Sequence, residues 1–460
     1  MESLPLYQNE AYIRNLLDEA QGTPAAERAR ILDKAAHMQG LSHREAAALL
    51  AMESEADWQR LFAIAGAIKS HIYGDRVVMF APLYISDYCV NDCAYCGFGA
   101  KNKAARRRLT MDEIRREVAL LEAMGHKRLA LEAGEDPENC PLSYVLEAIQ
   151  TIYDADTENG EIRRVNVNIA AQDVEGYRQL KAAGIGTIIL FQESYHRPTY
   201  GQMHRSGPKS DYDYHAGAFD RAMEAGLDDV GGGVLFGLYE PRYEVLGLML
   251  HNEHLESRFG VGFHTLSAPR IRAFGGQNAA FPSAVDDETF LRMVAVMRLA
   301  VPFTGIIIST RESPEMRRRL IKMGVSQLSG GSAVEVGGYH KKAAGQGQFQ
   351  VADERSPEDI IRWLMGEGFI PSFCTACYRS ARTGDRFMAL AKSGDIKDVC
   401  LPNALITLVE YAEDYGSEAL RRQAAALVEE KWAAMPEGPA KERTRTQIDR
   451  VCAGERDIRV

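Results

Sequence analysis

Six of the chain's eight cysteines fall into two clusters, and their spacing is the most chemically specific feature of the sequence. The first cluster runs Cys89, Cys93, Cys96, with Tyr95 immediately before its last member. Three thiolates this close on one loop bind three irons of a 4Fe–4S cube and leave the fourth iron without a protein ligand. An open iron of that kind chelates the amino and carboxylate groups of S-adenosyl-L-methionine. One electron then cleaves the sulfonium and releases a 5′-deoxyadenosyl radical. Tyr95 is suited to stack on, or present an edge to, the adenine. A structural zinc ion, the alternative, takes four tetrahedral ligands, and no fourth cysteine or histidine stands near the trio.

The second cluster is Cys374, Cys377 and Cys400, with two residues between the first pair and twenty-two before the third. Arg379, Arg382 and Arg386 lie close to the first pair and can offset the negative charge of a thiolate-bound cluster. Zinc with Cys452 as fourth ligand is the competing reading. Because the first trio already implies iron–sulfur loading, a second, auxiliary iron–sulfur cluster is expected here. Cys140 is isolated and reads as a buried thiol.

These groups need a scaffold, and 460 residues, 46% of them hydrophobic, are ample to bury a core. Residues 1–75 are rich in alanine, leucine and glutamate with apolar residues at helical spacing, which predicts an N-terminal helical extension. From there strand-like runs alternate with amphipathic segments such as 111–124, 177–183 and 314–323. The runs are 77–85, 128–133, 165–170, 187–192, 230–236, 263–268, 305–310 and 326–329. Eight strands separated by helices predict an α/β fold, a (β/α)8 TIM-type barrel over 76–345, with a doubly wound open sheet as the alternative. Beyond it, 346–460 reads as a mainly helical C-terminal domain around the second cysteine cluster.

A barrel of this kind builds its active site at the carboxyl ends of its strands. Taken in strand order, those ends carry Cys89, Glu132 with Glu135, Asn168 with Gln172, and Glu193. Then come His264 with Arg270, Ser309 with Arg311, and Ser329 with Ser332. Polar residues are expected to gather there rather than at the opposite ends. Glu135 is placed to hydrogen-bond the amino group of S-adenosyl-L-methionine, and Asn168 and Glu193 to reach its carboxylate or ribose. For each, an ordinary strand-end polar residue is the plain alternative.

The net charge of −10 leaves no electrostatic footprint for nucleic acid. Arg106, Arg107 and Arg108 sit beside Asp112, Glu113 and Glu117 and read as a solvated loop. No apolar run is long enough for a bilayer span and no secretory leader is legible after Met1, so a cytoplasmic protein is expected, in keeping with clustered rather than bridged cysteines.

The two cysteine patterns together resemble the HydG family, the radical S-adenosylmethionine tyrosine lyases of iron–iron hydrogenase maturation. Further likeness lies in Phe191–His196, Arg197–Gly201, Asp220–Asp229 and Val234–Tyr239. The ThiH-type 2-iminoacetate synthases of thiamine synthesis are similar in the barrel but lack the C-terminal cysteines. The resemblance implies a radical SAM barrel that cleaves L-tyrosine to p-cresol and dehydroglycine. Dehydroglycine would then pass to the auxiliary cluster and become carbon monoxide and cyanide. It implies that His264 helps hold an extra iron there, a hydrogen-bonded core histidine being the alternative. It also implies that Arg311 grips the substrate carboxylate, aided by Ser309, Ser329 or Ser332, against a salt bridge to Glu312. An electron donor of flavodoxin or ferredoxin type and other hydrogenase maturation proteins are the implied partners. A lyase that stops at dehydroglycine and a non-catalytic iron–sulfur carrier remain as rival readings.

Overall fold

The computed structural model describes residues 4–272, 281, 283–340, 347–380 and 382–460. Eight parallel strands run in chain order: β1 (Arg76–Ser86), β2 (Arg128–Ala133), β3 (Arg164–Asn168), β4 (Ile188–Glu193), β5 (Val230–Val234), β6 (Thr265–Ser267), β7 (Gly305–Ile308) and β8 (Gln327–Ser329). Each pairs with the next, and β8 returns to β1 through Val78↔Gln327 and Phe80↔Ser329. That closure rules out the open sheet. Both faces of the strands are buried, one in the barrel interior and one under helices, so the strands read as near-continuous apolar runs.

Helices Glu10–Gln21, Ala25–Ala36, His43–Leu50 and Glu55–Tyr73 precede the barrel. Their starts are legible locally: Asn9 and Ser54 accept backbone N–H bonds as N-caps, and Ser42 with Glu45 forms a capping box. They pack on the barrel helices Pro241–Phe259 and Asp287–Ala300. One continuous core of buried apolar side chains runs from Tyr7 to Ile458. The boundary expected at 345/346 lies outside the described residues.

One element was not anticipated in the C-terminal region. Ile370–Ser372 forms a ninth strand, β9, parallel to the amino end of β1, with Arg76↔Ile370 and Val78↔Ser372. Pro371 is tolerated there because β9 is an edge strand. The helices Ala376–Arg379, Ile396–Tyr415, Glu418–Ala433 and Pro439–Cys452 follow. The charged end of the chain is therefore a packed helix, with Ile448 and Val451 buried.

Candidate active site and a second thiol site

The loop after β1 carries Cys89, Cys93 and Cys96 over the carboxyl ends of the strands. It is fastened on two sides. Val90 N donates to the Glu135 carbonyl (2.8 Å), Ala94 N to Met203 (2.9 Å) and Asp92 N to Ser206 (3.1 Å). Gly134 makes the first of these possible: a Cβ there would meet the Tyr88 carbonyl oxygen at 2.3 Å. Lacking a side chain, Gly134 admits the cysteine loop.

Beneath the loop lies a cavity of about 230 Å³. Cys89, Cys93, Tyr95, Cys96, Glu135, Asn168, Glu193, Ser309, Arg311, Ser329 and Ser332 all line it, so the residues singled out for cofactor and substrate converge on one space. Burial pushes the Cys96 thiol up to about 11 and Cys93 further, so neither is a thiolate at neutral pH without a nearby positive charge. Iron would supply that charge. Among the described residues no three His, Cys, Asp or Glu side chains gather as a single ion would require. A cube, which spreads three thiolates over three irons, fits this donor set better than zinc does.

The other lining groups are already held in place. The Tyr95 hydroxyl meets His204 Nε2 at 2.8 Å, and His204 Nδ1 meets the Tyr200 carbonyl oxygen at 2.8 Å. Asn91 Nδ2 donates to Glu135 (2.6 Å), and Asn168 Nδ2 to Glu132 (2.6 Å). Burial lifts Glu132 to about 8 and also raises Glu135. Glu193 sits at a bulge ending β4 with a left-handed φ of 65°, a conformation costing about 1–2 kcal/mol. Its carboxylate is fixed by Lys209 Nζ at 2.7 Å. Lys209, missed in the sequence, lines the same cavity.

Arg311 is half-buried and lies over the Phe349 ring at 3.8 Å, with its buried Nε unpaired among the described residues. The salt bridge to Glu312 does not form: Glu312 is taken by Arg270 and by Arg272, the latter at 2.8 Å. Ser332 Oγ is buried without a partner, while Ser309 and Ser329 accept backbone N–H bonds from Arg311 and Thr310.

His264 requires a correction. It does not stand at a carboxyl end: it precedes β6 and so lies at the amino end of the barrel. There it joins Cys374, Cys377 and Cys400 around a second cavity of about 40 Å³. β9 delivers Cys374 to this spot, because Ser372 pairs with the amino end of β1. Cys377 rides the short helix Ala376–Arg379 and Cys400 the helix Ile396–Tyr415. Cys452 is exposed and does not line the cavity. Asp229 Oδ1 holds His264 Nδ1 at 2.9 Å, leaving Nε2 to face the cavity, where it meets the Tyr378 hydroxyl at 2.9 Å. A carboxylate behind a histidine is the arrangement that orients metal-binding imidazoles.

The arginines differ from expectation too. Arg379 pairs with Asp457 at 2.5 Å, away from the thiols. Arg382 does act on Cys377. The cation that acts most on all three thiols is Arg76, at the start of β1. Burial opposes its charge, yet Cys400, Cys374 and Cys377 together hold it above its usual range. A hydrogen bond from the Cys400 thiol lowers Cys377, with Arg76 and Arg382 adding to the effect. Arg128 Nη2 donates to the Cys374 carbonyl (2.9 Å), and Arg164 stacks on Tyr378. Polar residues therefore gather at both ends of the barrel. The signal was present in the sequence: Arg76, Arg128 and Arg164 open β1, β2 and β3, and Asp229 and His264 immediately precede β5 and β6.

A thiol trio above an eight-stranded parallel barrel defines the class, and the model of the radical SAM superfamily matches residues 83–249. A second model, the Biotin and Thiamin Synthesis associated domain, matches 267–370. The 2-iminoacetate synthase of Salmonella typhimurium is 30% identical over 352 residues, 76% of this chain and 90% of that enzyme. A crystal structure of HydG, a maturase of the FeFe-hydrogenase, is 51% identical and superposes with a TM-score of 0.97 over 99% of this chain and 100% of its own. HydG of Carboxydothermus hydrogenoformans is 36% identical, with a TM-score of 0.84 over 96% and 98% of the two chains. The chain belongs to the HydG family of radical SAM enzymes.

Proposed function

We infer that this enzyme cleaves L-tyrosine to p-cresol and dehydroglycine in the upper cavity and turns dehydroglycine into carbon monoxide and cyanide in the lower one, for hydrogenase cofactor assembly. One observation carries the reading: the two thiol trios face the same barrel interior. Val78, Gly305 and Gln327 line the lower cavity, while Phe80, Ile307 and Ser329, two residues further along the same strands, line the upper one. In a strand, residues i and i+2 share a face about 7 Å apart. The linings of the two cavities thus alternate along the same strands, which supports passage of a small product from one to the other.

Cys89, Cys93 and Cys96 would hold a 4Fe–4S cube that, with S-adenosyl-L-methionine bound, supplies the 5′-deoxyadenosyl radical. Tyr95, Glu135, Asn168 and Glu193 would bind and orient that cofactor. Arg311, with no carboxylate partner, binds the tyrosine carboxylate, and the free Ser332 hydroxyl completes the grip beside Ser309 and Ser329. Cys374, Cys377 and Cys400 would hold the auxiliary cluster and His264 an extra iron, which is cargo of the reaction.

The rival that stops at dehydroglycine leaves the lower trio and its buried arginines without a use. The similarity to the thiamine-pathway synthase spans 76% of the chain, whereas the HydG structures span 96–99% of it. A non-catalytic carrier leaves the unpartnered Arg311 Nε and Ser332 Oγ unexplained. In this reading 1–75 braces the barrel, 76–345 holds the radical site and 346–460 supplies the auxiliary thiols, in a cytoplasmic enzyme working with other maturation proteins. Reconstituted enzyme given reductant, tyrosine and S-adenosyl-L-methionine should release p-cresol and carbon monoxide. Two electron paramagnetic resonance signals should appear, only one of them altered by S-adenosyl-L-methionine. p-Cresol with no carbon monoxide would confine the function to the first cut.

A further inference from the structure

Cleaving a sulfonium needs one electron from outside, and the surface over the upper trio has the wrong charge for this molecule. The chain carries a net −10. Yet residues 93–111 contain Lys101, Lys103, Arg106, Arg107 and Arg108 without one Asp or Glu, and 197–210 contain Arg197, Arg205 and Lys209, again without one. The fold brings these two segments together on either side of the cysteine loop. Ala94 N donates to Met203, Arg205 N donates to Asp92, and Cys93 bridges to His204.

Some of these cations serve the loop. Arg106 donates to the carbonyls of Asp87, Gly99 and Asn102, Arg107 pairs with Glu113, Arg197 with Asp213 and Lys209 with Glu193. Lys101, Lys103 and Arg205 are left on the surface. Lys101 and Arg205 both reach the single buried carboxylate of Asp92, at 2.7 and 3.8 Å, so two cations share one counter-charge. Two of the few exposed large apolar residues lie on the same rim: Val90, between Cys89 and Asn91, is 39% exposed, and Tyr214, which lines the mouth of the upper cavity, is 41% exposed. Apolar contacts within a ring of like charge are the make-up of a transient docking surface.

We propose that the face formed by Lys101, Lys103, Arg205 and the exposed Val90 docks an acidic one-electron carrier protein and sets the cysteine loop against its redox group. The carrier is oxidised by one electron, and the sulfonium receives that electron as its carbon–sulfur bond breaks. This rests on the radical reading of the upper site and names the partner surface for it. Opposite charges steer such encounters and lose reach as salt shortens the screening length from about 30 Å at 0.01 M to about 8 Å at 0.15 M.

The test uses the reconstituted full chain and two reductants: a reduced flavodoxin, which must dock, and dithionite, which need not. The readout is the rate of 5′-deoxyadenosine formation. Lys103→Glu, which removes no hydrogen bond or ion pair among the described residues, and Lys103→Glu with Arg205→Gln should lower the flavodoxin-driven rate roughly tenfold at low salt and flatten its salt dependence. Both should leave the dithionite-driven rate within twofold. Equal loss with both reductants, or an unchanged flavodoxin rate, would overturn the proposal. So would weaker binding of another maturation protein with carrier-driven cleavage intact. Failure of the unaltered enzyme with dithionite would instead bring down the radical reading itself.

Discussion

At the carboxyl ends of the strands, three half-buried thiols stand on a loop above about 230 Å³ of space lined by Glu132, Glu135 and Glu193. At the amino ends, three thiols close on about 40 Å³ and face Arg76 and Arg128. The upper site is roomy and of mixed charge, with Lys209 and Arg311 beside its carboxyl groups, and it is built on a loop, as befits a large cofactor that must enter and leave. The lower site is tight and cationic, built on β9 and two helices, which suits a permanent anionic cluster and a small substrate. The two ends of one barrel are thus furnished differently, one with space and mixed charge, the other with close-set thiols and buried arginines.

The sharpest way to break this comparison is to remove one trio at a time. Cys93→Ala should abolish both 5′-deoxyadenosine and p-cresol, because the cube loses a ligand. Cys374→Ala with Cys377→Ala should eliminate carbon monoxide while p-cresol persists. If carbon monoxide survived that pair of changes, the division of labour between the two ends would be wrong.

Smaller changes sharpen it. Asp229→Asn takes the carboxylate from behind His264 and should weaken iron retention at the lower site by about 10–100-fold, read as iron per chain after dialysis, with p-cresol formation nearly unchanged. Arg311→Lys replaces a fork with a point charge and should raise the KM for tyrosine roughly tenfold, with a smaller effect on the rate at saturation. An equal fall in carbon monoxide from added dehydroglycine would place Arg311 at the other end of the path.

The smallest expected effect is on stability. Burial lifts Glu132 and also Glu244, whose carboxylate receives the Tyr195 N–H at 2.7 Å, to about 8 each. A carboxyl raised in the folded state favours folding fully below its ordinary value of about 4.5, and that contribution is lost as pH rises through about 8. The melting temperature of the cluster-free chain should thus decline between pH 5 and 8.5. Glu244→Gln should flatten the decline, and parallel curves for the two proteins would rule out Glu244 as a source.

Much of the upper site was legible because it is local. Cys89, Cys93 and Cys96 are neighbours in the chain, and alternating strands and helices bring Glu135, Asn168, Glu193, Arg311 and Ser329 to one end whatever the details of packing. Lys209 was missed because it reaches the cavity from a segment with no periodic signature. The lower site is non-local, and reading it failed where one rule was applied too widely. His264 was placed by the habit that barrel function sits at carboxyl ends, and the three arginines nearest in sequence were credited with a role that Arg76, some three hundred residues away, largely fills.

The sequence by itself determined the spacing of the first trio, the alternation of strands and helices, and the membership of Cys374, Cys377 and Cys400 in a second set. Each of these is written in spacing along the chain, which folding cannot alter. Only the tertiary structure decided that β9 adds to the foot of β1, that Cys374 therefore lies under the barrel beside His264 and Arg76, and that neighbouring positions on the same strands line both cavities. Those facts depend on which distant segments share a face, and spacing along a chain carries no record of that.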